Sequence, residues 1–261
     1  MKRRRMAFSL VELLIVIAII SLLIGILMPA VGRVRRIGRS AVCLSNLQQL
    51  GDAYRMYLTS NSNHSIPNRT NLTQLSWWES LNPYCPGIKR ILLCPEATEP
   101  GNAVGGAFKA WGPERTYDIA APDWKIRDTF IGSYGMNSWL LEPTAEEKQD
   151  LSQWWTSQAI TPNTKGSERI PLFGDCIMSW ATPTDTDTPP YDLISPLPFV
   201  TGLEKTPPPG PKGLMAYFCI DRHFHAVNFV FLDGHAENIT LEDLWKLKWN
   251  NKFKPHDIVL P

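Results

Sequence analysis

A continuous apolar segment near the N-terminus limits what this chain can fold into. Residues 8–28, FSLVELLIVIAIISLLIGILM, are almost wholly apolar, and their number matches the roughly 20 residues that a helix needs to cross a bilayer. A conventional secretory signal has a shorter apolar core followed by a small-residue cleavage site. Here the small residue, Ala7, precedes the apolar run. Cleavage after Ala7 would leave the helix on the mature chain, so the pattern predicts a membrane anchor behind a short basic leader.

Glu12 is a carboxylate within this apolar segment, where insertion of the charge costs about 3 kcal/mol. Two interpretations remain open. The carboxylate could pair with the amine of Phe8 on a neighbouring subunit and so set the axial register of a helical assembly. Alternatively, because it lies one turn from the start of the helix, it could reach the membrane interface and be stabilised there by the helix dipole.

The apolar pattern continues beyond the membrane segment at helical spacing. Its stripe comprises Val34, Ile37, Ala41, Leu44, Leu47, Leu50, Tyr54 and Leu58, as expected for one face of a helix. A helix over residues 8–58 would be roughly 75 Å long, much more than a bilayer requires. The sequence therefore predicts a leader (1–7), a membrane half (8–29) and an amphipathic half (30–60) of one helix, and a globular domain (61–261).

The middle of the globular domain predicts short strands and irregular loops. Residues 60–215 are rich in Pro, Gly and Trp, with a helix predicted over 144–155 and an extended surface loop over the proline-dense residues 181–213. Exposed tryptophans in loops can stack on sugars. An alternative function is therefore a membrane-tethered binding module for a glycan or a protein, with these candidates: Trp77, Trp78, Trp154 and Trp155.

The C-terminal segment DRHFHAVNFVFLDGHAENIT predicts a hairpin. Val227, Phe229 and Phe231 alternate with Asn228 and Val230, as in a strand. Asp233-Gly234 favours a two-residue type I′ turn, with residues 235–239 as the returning strand. A final helix is then expected to open at Thr240, with an apolar stripe of Leu241, Trp245, Trp249 and Phe253.

The same segment carries the side chains most suited to metal chemistry. His223 and His225 would share a face of a strand, and a metal site for a metal-dependent enzyme could be completed by Asp221, Asp233 or His235. The hydrolase pattern His-x-His-x-Asp-His is absent, however, and the sequence contains no Gly-x-Ser-x-Gly motif or P-loop. We therefore expect no catalysis and no bound metal, and a structural role for His223 and Asp233.

The N-terminal residues, from the basic leader through Ala7 to FSLVELLIVIAII, resemble the signal of type IV prepilins and pseudopilins. Glu12 is the fifth residue after the cleavage position, and Pro29 falls where many of these proteins have a helix-kinking proline. The resemblance implies cleavage between Ala7 and Phe8 and N-methylation of Phe8 by a prepilin peptidase. Implied partners are other pilin or pseudopilin subunits and the inner-membrane assembly machinery.

Five further segments resemble a large pilin-like group whose C-terminal signature is His, nine residues, then Asp-Gly. The signature residues here are His223, Asp233 and Gly234, and the other segments are CLSNLQQLG from Cys43, Leu93-Cys94-Pro95, SYGMN from Ser133, and the closing LWKLKWNNKF. This implies an α+β, pilin-like fold, with a long N-terminal helix packed on a small antiparallel sheet, long irregular insertions and a C-terminal helix, as in G-type major pseudopilins. Some of those bind calcium near the C-terminus, which makes Asp221 and Asp233 possible Ca²⁺ ligands.

Charge and cysteine content complete the prediction. A net charge of +1 argues against a nucleic-acid-binding protein, which needs a basic face. Arginines flank both ends of the apolar run, so charge does not orient it. Its orientation comes from the resemblance, which implies a single-pass protein of the bacterial inner membrane, with the N-terminus in the cytoplasm and the C-terminal domain in the periplasm or outside the cell.

Disulfides are allowed in a domain outside the cytoplasm, with Cys43–Cys94 or Cys85–Cys94 as the first candidates; five buried thiols are the alternative. The expected function is that of a pseudopilus or pilus-like filament subunit.

Overall fold

The structure is a computed structural model that describes residues 10–68, 76–99, 104–117, 126–143, 159–195 and 214–261. The chain divides into two compact units, Met1–Gly38 and Arg39–Pro261. The predicted leader and the helix predicted over residues 144–155, with Trp154 and Trp155, lie outside the described residues. The described part combines helices with two β-sheets, so the expected α+β class is confirmed.

The first element is a long helix, α1, which extends over Leu10–Ser60 and passes through Pro29. In the first unit its apolar side chains are exposed. In the second unit one face is buried, and this face comprises Cys43, Asn46, Leu47, Leu50, Gly51, Ala53, Tyr54 and Leu58. The predicted stripe is confirmed from Leu47 onward, whereas Val34 and Ile37 are exposed because burial of the helix begins only at Cys43.

The β-strands form a two-stranded and a five-stranded sheet. A short helix, α2 (Trp77–Leu81), precedes them. The strands are β1 (Trp111–Tyr117), β2 (Ile126–Gly132), β3 (Tyr134–Asn137), β4 (Pro171–Asp175), β5 (Trp180–Ala181), β6 (Ala226–Phe231) and β7 (Ala236–Thr240). β1 pairs with β2, and the larger sheet has the order β5-β3-β4-β6-β7. Its pairs are antiparallel except for β3 and β5, so the sheet is mixed instead of purely antiparallel.

The larger sheet is covered on both faces. On one face α1 contributes Leu47, Leu50 and Tyr54 to a core that includes Phe173 and Val230. The backbone of α1 approaches β6 so closely at Gly51 that an added Cβ would lie 2.7 Å from Cγ2 of Val230. On the other face the C-terminal segment packs on Val227, Phe229 and Phe231. The predicted alternation of β6 is therefore confirmed, with each face of the strand in its own core.

The hairpin between β6 and β7 differs from the prediction in its turn. The amide of Gly234 donates to the carbonyl of Phe231 at 2.9 Å, and the amide of Phe231 donates to the carbonyl of His235 at 2.9 Å. Three residues, Leu232 to Gly234, therefore form the loop. Gly234 has φ +96° while Asp233 does not have a positive φ, so the turn is not type I′, which needs positive φ at both central residues.

The C-terminal segment packs as predicted but is not an α-helix. Glu242–Lys246 form a 3₁₀ helix, after which the chain is irregular. The predicted stripe residues Leu241, Trp245, Trp249 and Phe253 are nevertheless all buried in the second core. Part of the proline-dense segment packs against them, since Trp245 donates to the carbonyl of Asp187 and Asn250 to that of Pro183. Residues 181–195 are thus only partly at the surface.

Candidate functional site

Four side chains with metal-ligating atoms meet inside the second unit. They are Cys43 on α1, Cys94 in the irregular segment before β1, Asp175 at the end of β4 and His223 just before β6. Their sulfur, nitrogen and oxygen atoms all lie within 4.8 Å of one another. None of the four residues is more than 4% exposed. We call this group the thiol–histidine cluster.

The contacts within the thiol–histidine cluster form a closed network. The Cys43 thiol lies 3.7 and 3.6 Å from the two Asp175 carboxylate oxygens. Nε2 of His223 lies 3.3 Å from the Cys94 sulfur and 3.2 Å from Oδ2 of Asp175. Two thiols, one imidazole and one carboxylate therefore converge on a single small volume.

A buried arginine supports the cluster from one side. Arg222 is fully buried, and its Nη1 donates to Oδ1 of Asp175 at 2.9 Å. The same guanidinium donates to the backbone carbonyls of Ala107, Ser133 and Gly106 at 2.6 to 2.7 Å. The Asp175 carboxylate thus balances the charge of Arg222, and the three carbonyls accept hydrogen bonds from its other N–H groups. A buried guanidinium needs both kinds of partner.

The electrostatics of the cluster favour the charged forms of Asp175 and His223 despite their burial. Burial alone would raise the pKa of Asp175, but His223 and Arg222 hold it well below its usual range. Burial alone would lower the pKa of His223, but the Asp175 carboxylate raises it to about 10. For Cys94, burial opposes ionisation, yet hydrogen bonds from Cys43 and His223 lower the pKa to about 7. Burial raises the pKa of Cys43 well above its usual value.

Backbone groups hold the cluster residues in place. The amide of Cys94 donates to Oγ of Ser133 at 2.6 Å, and the amide of Glu96 donates to the sulfur of Cys94 at 3.5 Å. The amide of Asn228, in β6, donates to Oδ2 of Asp175 at 2.8 Å. Cys43, Cys94, Ser133 and His223 belong to the segments that carried the pilin-like resemblance, so segments far apart in the sequence meet at this one site.

Sequence reasoning missed two members of the site, Asp175 and Arg222. Asp175 follows the apolar run Ile170 to Phe173, and Arg222 precedes His223. A charged residue close to a strongly apolar segment can indicate a buried charge. Because charges are rarely buried without a partner, such a residue also predicts an oppositely charged neighbour. The sequence did not show which of the many charged residues near such segments would pair.

The other residues predicted as metal candidates have different surroundings. His225 is exposed, its Nε2 lies 3.0 Å from Oε1 of Glu242, and its amide donates to Oδ1 of Asp221 at 2.6 Å. Asp233 contacts Nδ1 of His235 at 2.7 Å. The strand begins only at Ala226, and His225 has φ +61°, so the two histidines do not share a strand face. Asp221 precedes β6 and Asp233 follows it, and calcium binding by either stays a prediction.

All five cysteines are free thiols in the structure. Cys43 and Cys94 belong to the thiol–histidine cluster. Cys85 is half-buried at the edge of the first core, and Cys176 and Cys219 lie in the second core. The predicted disulfides, Cys43–Cys94 and Cys85–Cys94, stay predictions, of which the first joins two neighbours within the cluster.

The residues predicted for processing and assembly lie at the N-terminus. Ala7 and Phe8 fall outside the described residues, and Glu12 lies exposed in the first turn of α1. α1 is long and apolar enough to cross a membrane, and its most apolar part is not buried, unlike the core helix of a soluble protein. The glycan-binding alternative loses two of its candidates, since Trp77 and Trp78 are buried in the first core.

Comparison with known proteins gives one match. Residues 2–28 match the family model of the prokaryotic N-terminal methylation motif. No curated protein and no solved structure matches the chain. The matched segment contains the basic leader, Ala7, Phe8 and Glu12, followed by the apolar helix that indicates membrane anchoring. The chain therefore has the N-terminus of a type IV prepilin-like protein.

Proposed function

We propose that this protein is a structural subunit of a pilus-like filament, either a type II secretion pseudopilus or a type IV pilus. The observation that carries the proposal is the methylation motif at residues 2–28, which includes the first, exposed and apolar part of α1. A prepilin peptidase would remove the leader after Ala7 and methylate Phe8. Other pilin-like subunits and the inner-membrane assembly machinery would then be its partners, and residues 61–261 would face the periplasm or the exterior.

The interior of the second unit supports a structural role for the protein over a catalytic one. The side chains best suited to catalysis are those of the thiol–histidine cluster. They are at most 4% exposed. A catalytic metal or nucleophile keeps an open position for its substrate. The buried cluster instead connects α1 to the sheet. Such a connection suits a filament subunit whose long helix bears mechanical force.

The processing step gives the first test. We expect the intact mass of the mature protein, isolated from membranes of its host, to correspond to a chain that starts at a singly methylated Phe8. Replacing Ala7 by a bulky residue such as leucine should leave the leader attached, because the peptidase needs a small residue before the cut. A mature chain that retains residues 2–5, or one cut after residue 28, would contradict the proposal.

A second prediction concerns Glu12 and separates the two interpretations of its role. If the carboxylate pairs with the amine of Phe8 on a neighbouring subunit, Glu12→Leu should remain processed and membrane-bound but should be largely lost from sheared filaments. Removing the charge lowers the cost of insertion by about 3 kcal/mol, so a defect in the membrane is not expected. The control Ser21→Leu also makes the segment more apolar but keeps the charge. Incorporation of both variants at equal levels would contradict the pairing and support the alternative, in which Glu12 only reaches the membrane interface.

A further inference from the structure

We propose that Cys43, Cys94, Asp175 and His223 bind one zinc ion. The ligands would be two thiolate sulfurs, one oxygen of Asp175 and Nε2 of His223. This site shares only His223 with the metal candidates that the sequence suggested, and it goes beyond the proposed filament function.

Three of the six distances between the four ligand atoms are close to those of a tetrahedral ligand set, and all six are within 4.8 Å. Zinc–sulfur bonds of about 2.3 Å and zinc–nitrogen or zinc–oxygen bonds of about 2.0–2.2 Å place neighbouring ligands of a tetrahedron roughly 3.3–3.8 Å apart. Here sulfur and oxygen are separated by 3.6 Å for Cys43 and Asp175. Sulfur and nitrogen are 3.3 Å apart for Cys94 and His223, and nitrogen and oxygen 3.2 Å for His223 and Asp175. The ligands are therefore nearly in place for an ion at their centre.

The charges also balance around a divalent ion. Two thiolates and one carboxylate carry three negative charges, and neutral His223 adds none. A zinc ion together with the guanidinium of Arg222, 2.9 Å from Asp175, supplies three positive charges. A buried site that is neutral as a whole avoids the large cost of an unpaired charge in a dry interior. Arg222 would thus allow a third anionic ligand.

Groups outside the ligand set have the positions expected around a metal centre. The oxygen Oδ2 of Asp175 accepts from the amide of Asn228, and Oδ1 accepts from Arg222. The sulfur of Cys94 accepts from the amide of Glu96. Hydrogen bonds of this kind orient ligands and stabilise their ionised forms. The cluster residues are thus held by the fold and not only by one another.

The donor set indicates zinc over other common ions. Thiolates and imidazole suit zinc, whereas calcium and magnesium prefer oxygen ligands. Four protein ligands leave no open coordination position, which is typical of structural sites. Because Cys43 lies on α1 and Asp175 on β4, the ion would tie the helix to the sheet.

Two other states of the same residues compete with zinc. Without a metal, protonated His223 can bridge Asp175 and Cys94 as an ion-pair network. In an oxidising compartment, Cys43 and Cys94 can instead form a disulfide. In the first state, zinc must displace the protons of His223 and of the two thiols, and in the second state no thiolate is available, so the experiment must distinguish all three.

The test uses the full mature chain, extracted in mild detergent and loaded with zinc, then dialysed. We expect elemental analysis to find about one zinc per chain. After exchange for cobalt, we expect the intense visible absorption of a tetrahedral ion and a thiolate-to-cobalt charge-transfer band. Cys94→Ala and Cys43→Ala should lose most of the bound zinc. Cys176→Ala, which removes another buried thiol beside the site, should keep it.

Three results would overturn the proposal. The first is wild-type protein without bound zinc, which would leave the ion-pair network as the native state. The second is full zinc binding by Cys94→Ala. The third is a Cys43–Cys94 disulfide found by peptide mapping of protein purified without reductant. Should the alanine variants fail to fold, the cobalt spectrum of the wild type decides, since an octahedral spectrum without the sulfur band excludes the proposed ligands.

Discussion

Replacing Arg222 by alanine should lower the free energy of unfolding by about 3–5 kcal/mol, because it leaves a buried carboxylate without its guanidinium partner. The side chain is fully buried and donates to Asp175 and to three backbone carbonyls. All of these acceptors lose a donor, and the cavity that remains removes packing as well. Denaturant unfolding of the full mature chain in detergent, followed by far-ultraviolet circular dichroism, measures the change. Because Arg222 also donates to Asp175, a proposed zinc ligand, unfolding is measured on metal-free protein, where the result does not depend on the metal proposal.

Two further variants serve as controls for Arg222→Ala. Arg222→Lys keeps the positive charge but not the planar fork of donors, and it should therefore lose less stability than the alanine variant. Arg169→Ala removes an exposed guanidinium that donates to the carbonyl of Lys246, and it should change stability little. An Arg222→Ala protein as stable as the wild type would show that the buried ion pair is not needed for the fold.

Replacing Trp249 by alanine should also cost about 3–5 kcal/mol, the range for removing a large buried aromatic side chain. The Trp249 ring is fully buried and packs against Phe218 and Phe229 at centroid distances of 4.9 and 5.6 Å. Its Nε1 donates to the carbonyl of Leu244 at 2.7 Å. The loss should therefore open the core on the face of β6 opposite α1. The same unfolding experiment measures this effect.

Trp180→Ala is the matched control for this position. Trp180 also lies at the larger sheet, in β5, but its side chain is 48% exposed, so its truncation should cost much less. The two variants remove the same chemical group, and the two sites differ in burial and in the hydrogen bond that Trp249 donates to Leu244. Equal losses for both would mean that the C-terminal segment does not form the second core.

The elements that the sequence predicted best have a strong internal period. The long helix follows from the almost wholly apolar run over residues 8–28 and a continuing helical stripe, and β6 follows from its alternation of Val227, Phe229 and Phe231 with Asn228 and Val230. The period of a sequence pattern predicts which side chains are buried. It predicts less well which backbone conformation buries them. For this reason the C-terminal stripe was identified correctly, while its backbone is a 3₁₀ helix followed by irregular chain.

The thiol–histidine cluster was only partly visible in the sequence. His223 was singled out, but it was grouped with His225 on the assumption of a strand, whereas the chain before β6 has positive φ at Phe224 and His225. Its actual partners come from α1, a loop and β4, between 48 and 180 residues away by their numbers. Contacts over such separations follow from strand order and helix packing, which local patterns do not determine. The spacing of His223 and Asp233, by contrast, has a local origin, since β6 lies between them.

The cluster also bears on the order in which the protein folds. Its contacts join residues 132 apart for Cys43 and Asp175, and 129 apart for Cys94 and His223. Contacts with such long intervening loops form late, because the entropy of loop closure must be overcome first. Until the segment around His223 is in place, the thiols of Cys43 and Cys94 lack partners that the finished fold provides. A chain truncated before His223 should therefore leave the thiols of Cys43 and Cys94 accessible to alkylation, whereas the finished fold buries both.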